Sequence, residues 1–224
     1  MKSYGSVYDH LGKGHDRLYL DDANGIFAVF DGAGGESLSE ACASQLPAII
    51  ARETAVSDVE SSAFAKIITS LDSLPEGYRV KSTVAMACVK ETLEGVAFNY
   101  FNAGDSSLYF FNKTKGDFKL LAHTPTEFVV KNGRKYISTA EFLGAERSLT
   151  TIAKQIGGLL LPHSAEWTIV GITDGVKDDD GQGIATVDLK QIIRYSDPRD
   201  IPDQILSNID KYDDASVFVT SNID

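Results

Sequence analysis

The chain has 224 residues, 43% hydrophobic and 24% charged, enough to bury a substantial core, and one domain is expected over residues 1–224. A formal net charge of −11 argues against nucleic acid as a partner, because a grip on phosphates needs a surplus of Lys and Arg. No apolar run approaches membrane-spanning length, and the opening Met1-Lys2-Ser3-Tyr4-Gly5 lacks the apolar stretch of a signal peptide, so a cytoplasmic protein with no membrane partner is expected.

The first segment is polar and glycine-spotted, with short strands expected at Ser3–Tyr8 and Arg17–Leu20 and a charged cluster, Lys13-Gly14-His15-Asp16-Arg17, at the second of them. Ile26-Phe27-Ala28-Val29-Phe30 then reads as a strand buried on both faces, ending at Asp31-Gly32-Ala33-Gly34-Gly35. The period changes afterwards. Leu38, Ala41, Cys42, Leu46, Ile49 and Ile50 recur at helical spacing, with Pro47 expected to bend or divide the helix. A second amphipathic helix is expected from Asp58 to about Leu74, closed by Pro75-Glu76-Gly77. Cys42 and Cys88, the only cysteines, sit in apolar or Ala-rich runs and read as buried free thiols of a reducing compartment.

From Tyr78 the texture is that of strands. Val80–Val89, Val96–Ala103 and Leu108–Asn112 suggest an antiparallel meander. Ala122–Gly144, with the cations Lys131, Arg134 and Lys135, is expected as a solvated loop or as a flap over a site. Trp167–Thr173 is the next strand and again runs into Asp-Gly, at Asp174-Gly175. Helices at Val187–Tyr195 and Pro202–Tyr212 and a last strand at Ala215–Thr220 complete the chain. Strands, then helices, then strands again point to an α+β sandwich of sheets with helices outside it.

Asp31, Asp105, Asp174 and Asp213 all fall at strand edges, dispersed over the sequence. Were they to converge, two carboxylates about 4 Å apart would repel by roughly 4 kcal/mol at an effective dielectric near 20, and a cation would have to offset that. Carboxylates with a backbone carbonyl suit Mg²⁺ or Mn²⁺; zinc would bring Cys or His at metal spacing, and the acid pattern of a calcium loop is missing. Two such ions can activate a water and clamp a phosphoryl group, so the chemistry implied is metal-assisted phosphoester hydrolysis, with a structural or regulatory metal site as the other reading. A dinucleotide site on the glycines after Phe30 would need a third glycine where Ser37 stands.

In order along the chain come Asp16, Phe30-Asp31-Gly32-Ala33-Gly34-Gly35, Ser82-Thr83, Asn102-Ala103-Gly104-Asp105-Ser106, Thr173-Asp174-Gly175 and Asp213-Asp214-Ala215-Ser216. These six short boxes resemble those of the metal-dependent Ser/Thr protein phosphatases of the protein phosphatase 2C type, in its compact bacterial form; Leu143-Gly144 is similar to a Leu-Gly that follows the family's flap. The resemblance implies a four-layer α-β-β-α sandwich of two antiparallel sheets. It also implies hydrolysis of phosphoserine and phosphothreonine in proteins by a metal-bound hydroxide, at a centre of two or three Mn²⁺ or Mg²⁺ ions. Asp31 would bridge two metals with the Gly32 carbonyl as a further ligand, Asp174 and Asp213 would complete the first metal's shell, Asp105 with Asp174 would hold a third ion, and Asp16 would be a further metal residue. Asp31, Asp174 and Asp213 would then be the catalytic set. Ser106 and Ser216 read as structural hydroxyls.

The chain departs from the family at three places. His15 stands where the family has a Glu beside Asp16, and His can ligate Mn²⁺ in its stead. Leu11 takes the place of a phosphate-binding Arg, leaving Lys13 or Arg17 as substitutes. Ala33 replaces a His that animal members carry. The partner implied is a phosphoprotein substrate met by a monomer; the alternative is a catalytically weak or inactive phosphatase-like module that binds a phosphoprotein.

Overall fold

Alternation along β3 (Ile26–Ala33) explains the layering of the whole chain. Ile26, Ala28 and Phe30 pack into one apolar cluster with helical residues, whereas Phe27 and Val29 pack into another, formed between two sheets. All five are fully buried, as a strand apolar on both faces requires. The computed structural model describes residues 1–10, 12, 14–33, 38–53, 61–74, 81–123, 128–131, 134–137, 143, 155–176, 186–208 and 213–223.

Two five-stranded antiparallel sheets face each other. One runs in the order β10 (Ile156–Leu161), β5 (Val96–Ala103), β4 (Lys81–Glu91), β3, β2 (Arg17–Asp21). The other runs β1 (Lys2–Tyr8), β12 (Ala215–Ser221), β11 (Glu166–Ile172), β6 (Ser107–Thr114), β7 (Asp117–His123). Phe27, Phe98, Phe110, Trp167 and Phe218 fill the space between them, with the Trp167 ring edge-on to Phe98 at 5.0 Å. Helices α1 (Leu38–Glu53) and α2 (Ser61–Asp72) cover the outer face of the first sheet through Leu46, Ile50, Phe64 and Ile68. Helices α3 (Thr186–Tyr195) and α4 (Ile201–Ser207) cover the second through Leu189, Ile193 and Ile205. The architecture is therefore the expected α-β-β-α sandwich. Each fully buried Phe or Ile contributes about 1.5–3 kcal/mol to holding the layers together.

Several local expectations are corrected. Pro47 does not divide α1, which continues for 16 residues; Cys42, Leu46, Ile49 and Ile50 are buried on both sides of the proline and keep its two halves on one sheet. The expected meander is broken, because β4 and β5 pair while β6 crosses to the other sheet. Apolar alternation reports which faces are buried, and it is silent on which sheet a strand joins. Gly104 makes the crossing, at φ +87°, with the Thr83 side chain 2.6 Å from where a Cβ would stand. A hairpin of β8 (Phe128–Lys131) and β9 (Arg134–Ile137) lies in the stretch expected to be irregular, and β7 and β10 were not anticipated as strands. Helix α4 is shorter than expected, its end marked by the Asn208 N–H bonding the Ile205 carbonyl at 3.1 Å. The expected start of the second helix at Asp58 lies outside the described residues.

Candidate metal centre

Strand β3 runs on through Asp31, Gly32 and Ala33, pairing Asp31 with Thr83 and Gly32 with Ser82. Next to it the crossing at Gly104 delivers Asp105, which is buried, and the neighbouring Ser106 hydroxyl shares a 2.6 Å hydrogen bond with Thr83. With its amide turned to donate, Asn102 bonds the carbonyls of Val84 (3.2 Å) and Ser106 (2.6 Å), which fastens that turn. Asp174 opens a single 3₁₀ turn, Asp174–Val176, directly after β11. Gly175 is pressed against β12, since a Cβ there would stand 1.8 Å from the Asp214 carbonyl oxygen. Ser82 also takes the Leu143 N–H on its carbonyl at 2.7 Å, which brings the chain after the hairpin back to β4 with Leu143 fully buried.

These crossings and strand ends assemble a group that the sequence scatters. Asp31, Asp105 and Asp174 each offer a carboxylate oxygen within 4.8 Å of the others. Asp16 joins them from the loop before β2, with Asp31 and Asp174 as its charged neighbours and only 2% of its surface exposed. The Thr173 hydroxyl donates to Asp16 Oδ2 at 2.6 Å, while Asp16 Oδ1 is buried and receives no hydrogen bond. Burial pushes the Asp16 carboxyl up to about 7, with Thr173 holding it lower than burial alone would. Burial and the neighbouring Asp16 charge push Asp31 up to about 8. Three carboxylates within 4.8 Å of one another, with the buried Asp16 carboxyl and its orphaned oxygen as a neighbour of Asp31 and Asp174, form a donor set that fits a hard divalent cation.

The other expected residues are placed differently. Asp213 is exposed, outside the group of Asp31, Asp105 and Asp174, with its Oδ1 accepting the Asp214 N–H at 3.0 Å. Its neighbour Asp214 is buried, and its carboxylate accepts the backbone N–H groups of His10 (2.6 Å) and His15 (2.8 Å). Thus His15 is tied through its backbone, and its carbonyl accepts the Ser39 hydroxyl. The Arg17 guanidinium donates to the Gly14 carbonyl, to the Asp16 carbonyl at 2.7 Å and to Glu40 at 3.2 Å, so it fastens the loop that carries Asp16. Lys13, Leu11, Gly34 and Gly35 lie outside the described residues, as do the side chains of Ala33, Lys131, Arg134 and Lys135. Sequence reasoning did not anticipate the Asp214 carboxylate as the acceptor for the His10 and His15 amides or the Thr173 hydroxyl as the partner of Asp16, although both stand inside boxes it had singled out.

No protein-family model and no curated protein matches the sequence. Among solved structures, the chain is similar to serine/threonine phosphatase Stp1 from Staphylococcus aureus (14% identity, TM-score 0.68, covering 100% of this chain and 95% of that one). It is similar also to the catalytic domain of serine/threonine protein phosphatase PstP in complex with two manganese ions (14%, TM-score 0.66, covering 100% and 98%). The fold is that of the protein phosphatase 2C family. The chain is similar, too, to a C. elegans sex determining protein (18% identity, TM-score 0.69), and the match covers 98% of this chain and 64% of that one.

Proposed function

We propose that this protein hydrolyses phosphoserine and phosphothreonine in proteins with the help of Mn²⁺ or Mg²⁺. The observation that carries this reading is the approach of Asp31, Asp105 and Asp174 to within 4.8 Å, with the buried, orphaned Asp16 Oδ1 beside them. Asp31, Asp174, Asp105 and Asp16 would hold the cations, with the Gly32 carbonyl and Asp213 as further ligands from the strand and the rim. Divalent ions held there would activate water and neutralise phosphoryl oxygens. The manganese complex of a structural neighbour agrees with such a donor set.

Among the described residues, the serines beside the acids and the two cysteines are poorly placed for a covalent route. Ser106 and Ser216 are fully buried, and Ser106 is engaged with Thr83. Burial pushes the thiols of Cys42 and Cys88 up to about 12, which leaves them protonated near neutrality. A phosphoprotein is thus the proposed substrate, and the proposed state is a monomer.

A second reading, a weak or inactive phosphatase-like binding module, draws on two observations: Arg17 spends its guanidinium on the loop, and Asp213 is exposed and outside the group of Asp31, Asp105 and Asp174. Phosphate release from a phosphothreonine peptide, with Mn²⁺, with Mg²⁺ and with excess chelator, separates the two. Turnover that requires the metal and disappears in Asp174→Asn is expected. Turnover in chelator, or turnover undiminished in the variant, would sink the metal-hydrolase reading; folded wild type without any turnover would favour the binding module.

A further inference from the structure

Thr173 is fully buried at the end of β11, and its hydroxyl is engaged on both sides. The Ser216 N–H donates to Thr173 Oγ1 at 2.8 Å, and Thr173 Oγ1 in turn lies 2.6 Å from Asp16 Oδ2. A hydroxyl has one proton to give. Because a backbone donor already occupies one side of the oxygen, that proton is directed at Asp16. The backbone of Thr173 is itself fixed to β12, its N–H bonding the Ser216 carbonyl at 3.1 Å. The relay therefore has a rigid origin, the β11–β12 ladder, and a functional end, a carboxylate from a loop more than a hundred residues away.

The consequence falls on Asp16. One of its oxygens is held by Thr173, and the other, Oδ1, is buried without a hydrogen-bond partner. We propose that Thr173 is a positioning residue: by holding Asp16 Oδ2 it turns Oδ1 into the free ligand oxygen of the acidic group and so raises the affinity of the site for a divalent cation. This rests on the metal-centre reading above. Side chains that orient a ligand in this way are worth about 10–100-fold in metal affinity.

Valine in place of threonine keeps the shape but removes both the acceptor for Ser216 N–H and the donor to Asp16. Serine keeps both. Calorimetric titration of chelator-stripped protein with Mn²⁺ is expected to give binding about 10–100-fold weaker in Thr173→Val and close to wild type in Thr173→Ser. Phosphopeptide hydrolysis run over a Mn²⁺ series should move in the metal requirement more than in kcat at saturating Mn²⁺. Thr173→Val binding as tightly as wild type, or Thr173→Ser as weakly as valine, would overturn the proposal. Should Thr173→Val fail to fold, Thr173→Cys is compared with Thr173→Ser, because a thiol is a weak donor of similar reach; equal Mn²⁺ affinity in that pair would overturn it as well. Wild type that binds no Mn²⁺ would bring down the metal centre together with this role, whereas wild type that binds beside a valine variant that binds equally removes only Thr173.

Discussion

Asp16 and Asp31 make stability depend on pH in a direction opposite to that of an ordinary salt-bridged acid. In the unfolded chain both titrate near 3.8, and in the fold burial raises Asp16 to about 7 and Asp31 to about 8. Between those values the folded, metal-free protein holds protons that the unfolded chain has released, so their contribution is complete below about pH 4 and is lost as pH rises through 7 to 8. Thermal melts in chelator are therefore expected to fall in Tm from pH 5 toward pH 8.5, and to fall less in Asp31→Asn, which removes one buried charge. Divalent cations favour the ionised carboxylates, so added Mn²⁺ should raise Tm most at the alkaline end. A chelated wild type with a flat or rising Tm across that range would contradict this account of the two acids.

At the scale of elements, the loop between β1 and β2 is held by one carboxylate from the start of β12. Asp214 accepts the amides of His10 and His15, and thereby closes the stretch that leads into Asp16. Removing it leaves two backbone donors without their acceptor, each costing about 1–3 kcal/mol where water cannot replace it. Asp214→Ala is expected to lose stability in urea by an amount in that range, to speed hydrogen exchange at the His10 and His15 amides, and to weaken Mn²⁺ binding. Unchanged exchange at those two amides would count against the staple. The Asp213-Asp214 pair was legible as a motif, yet its division of labour was not. Two adjacent residues before a strand differ in exposure, and the burial of Asp214 with its carboxylate on the His10 and His15 amides shows that it is the one that faces inward.

For the molecule as a whole, the site depends on how the two sheets are pressed together. Phe218 on β12 reaches across to Phe27 on β3, ring centroids 6.1 Å apart. Gly171 makes room for it, since a Cβ there would stand 2.1 Å from the Phe218 ring. Phe218→Ala should cost about 3–5 kcal/mol in urea unfolding, the range for emptying such a core position. A loss well under 1 kcal/mol would mean that the sheets are held by other contacts. The sequence by itself determined the strands of highest apolar density, the helical faces, the buried cysteines and the identity of the acids at strand ends, because hydrophobic period and Asp-Gly punctuation are local signals. It did not determine that β5 and β6 belong to different sheets, that β10 completes the edge of one of them, that α1 continues through Pro47, or that Asp213 is exposed while Asp214 is buried. Those outcomes depend on contacts between residues far apart in the chain, whose energies are settled only when both sheets and their covering helices are packed at once.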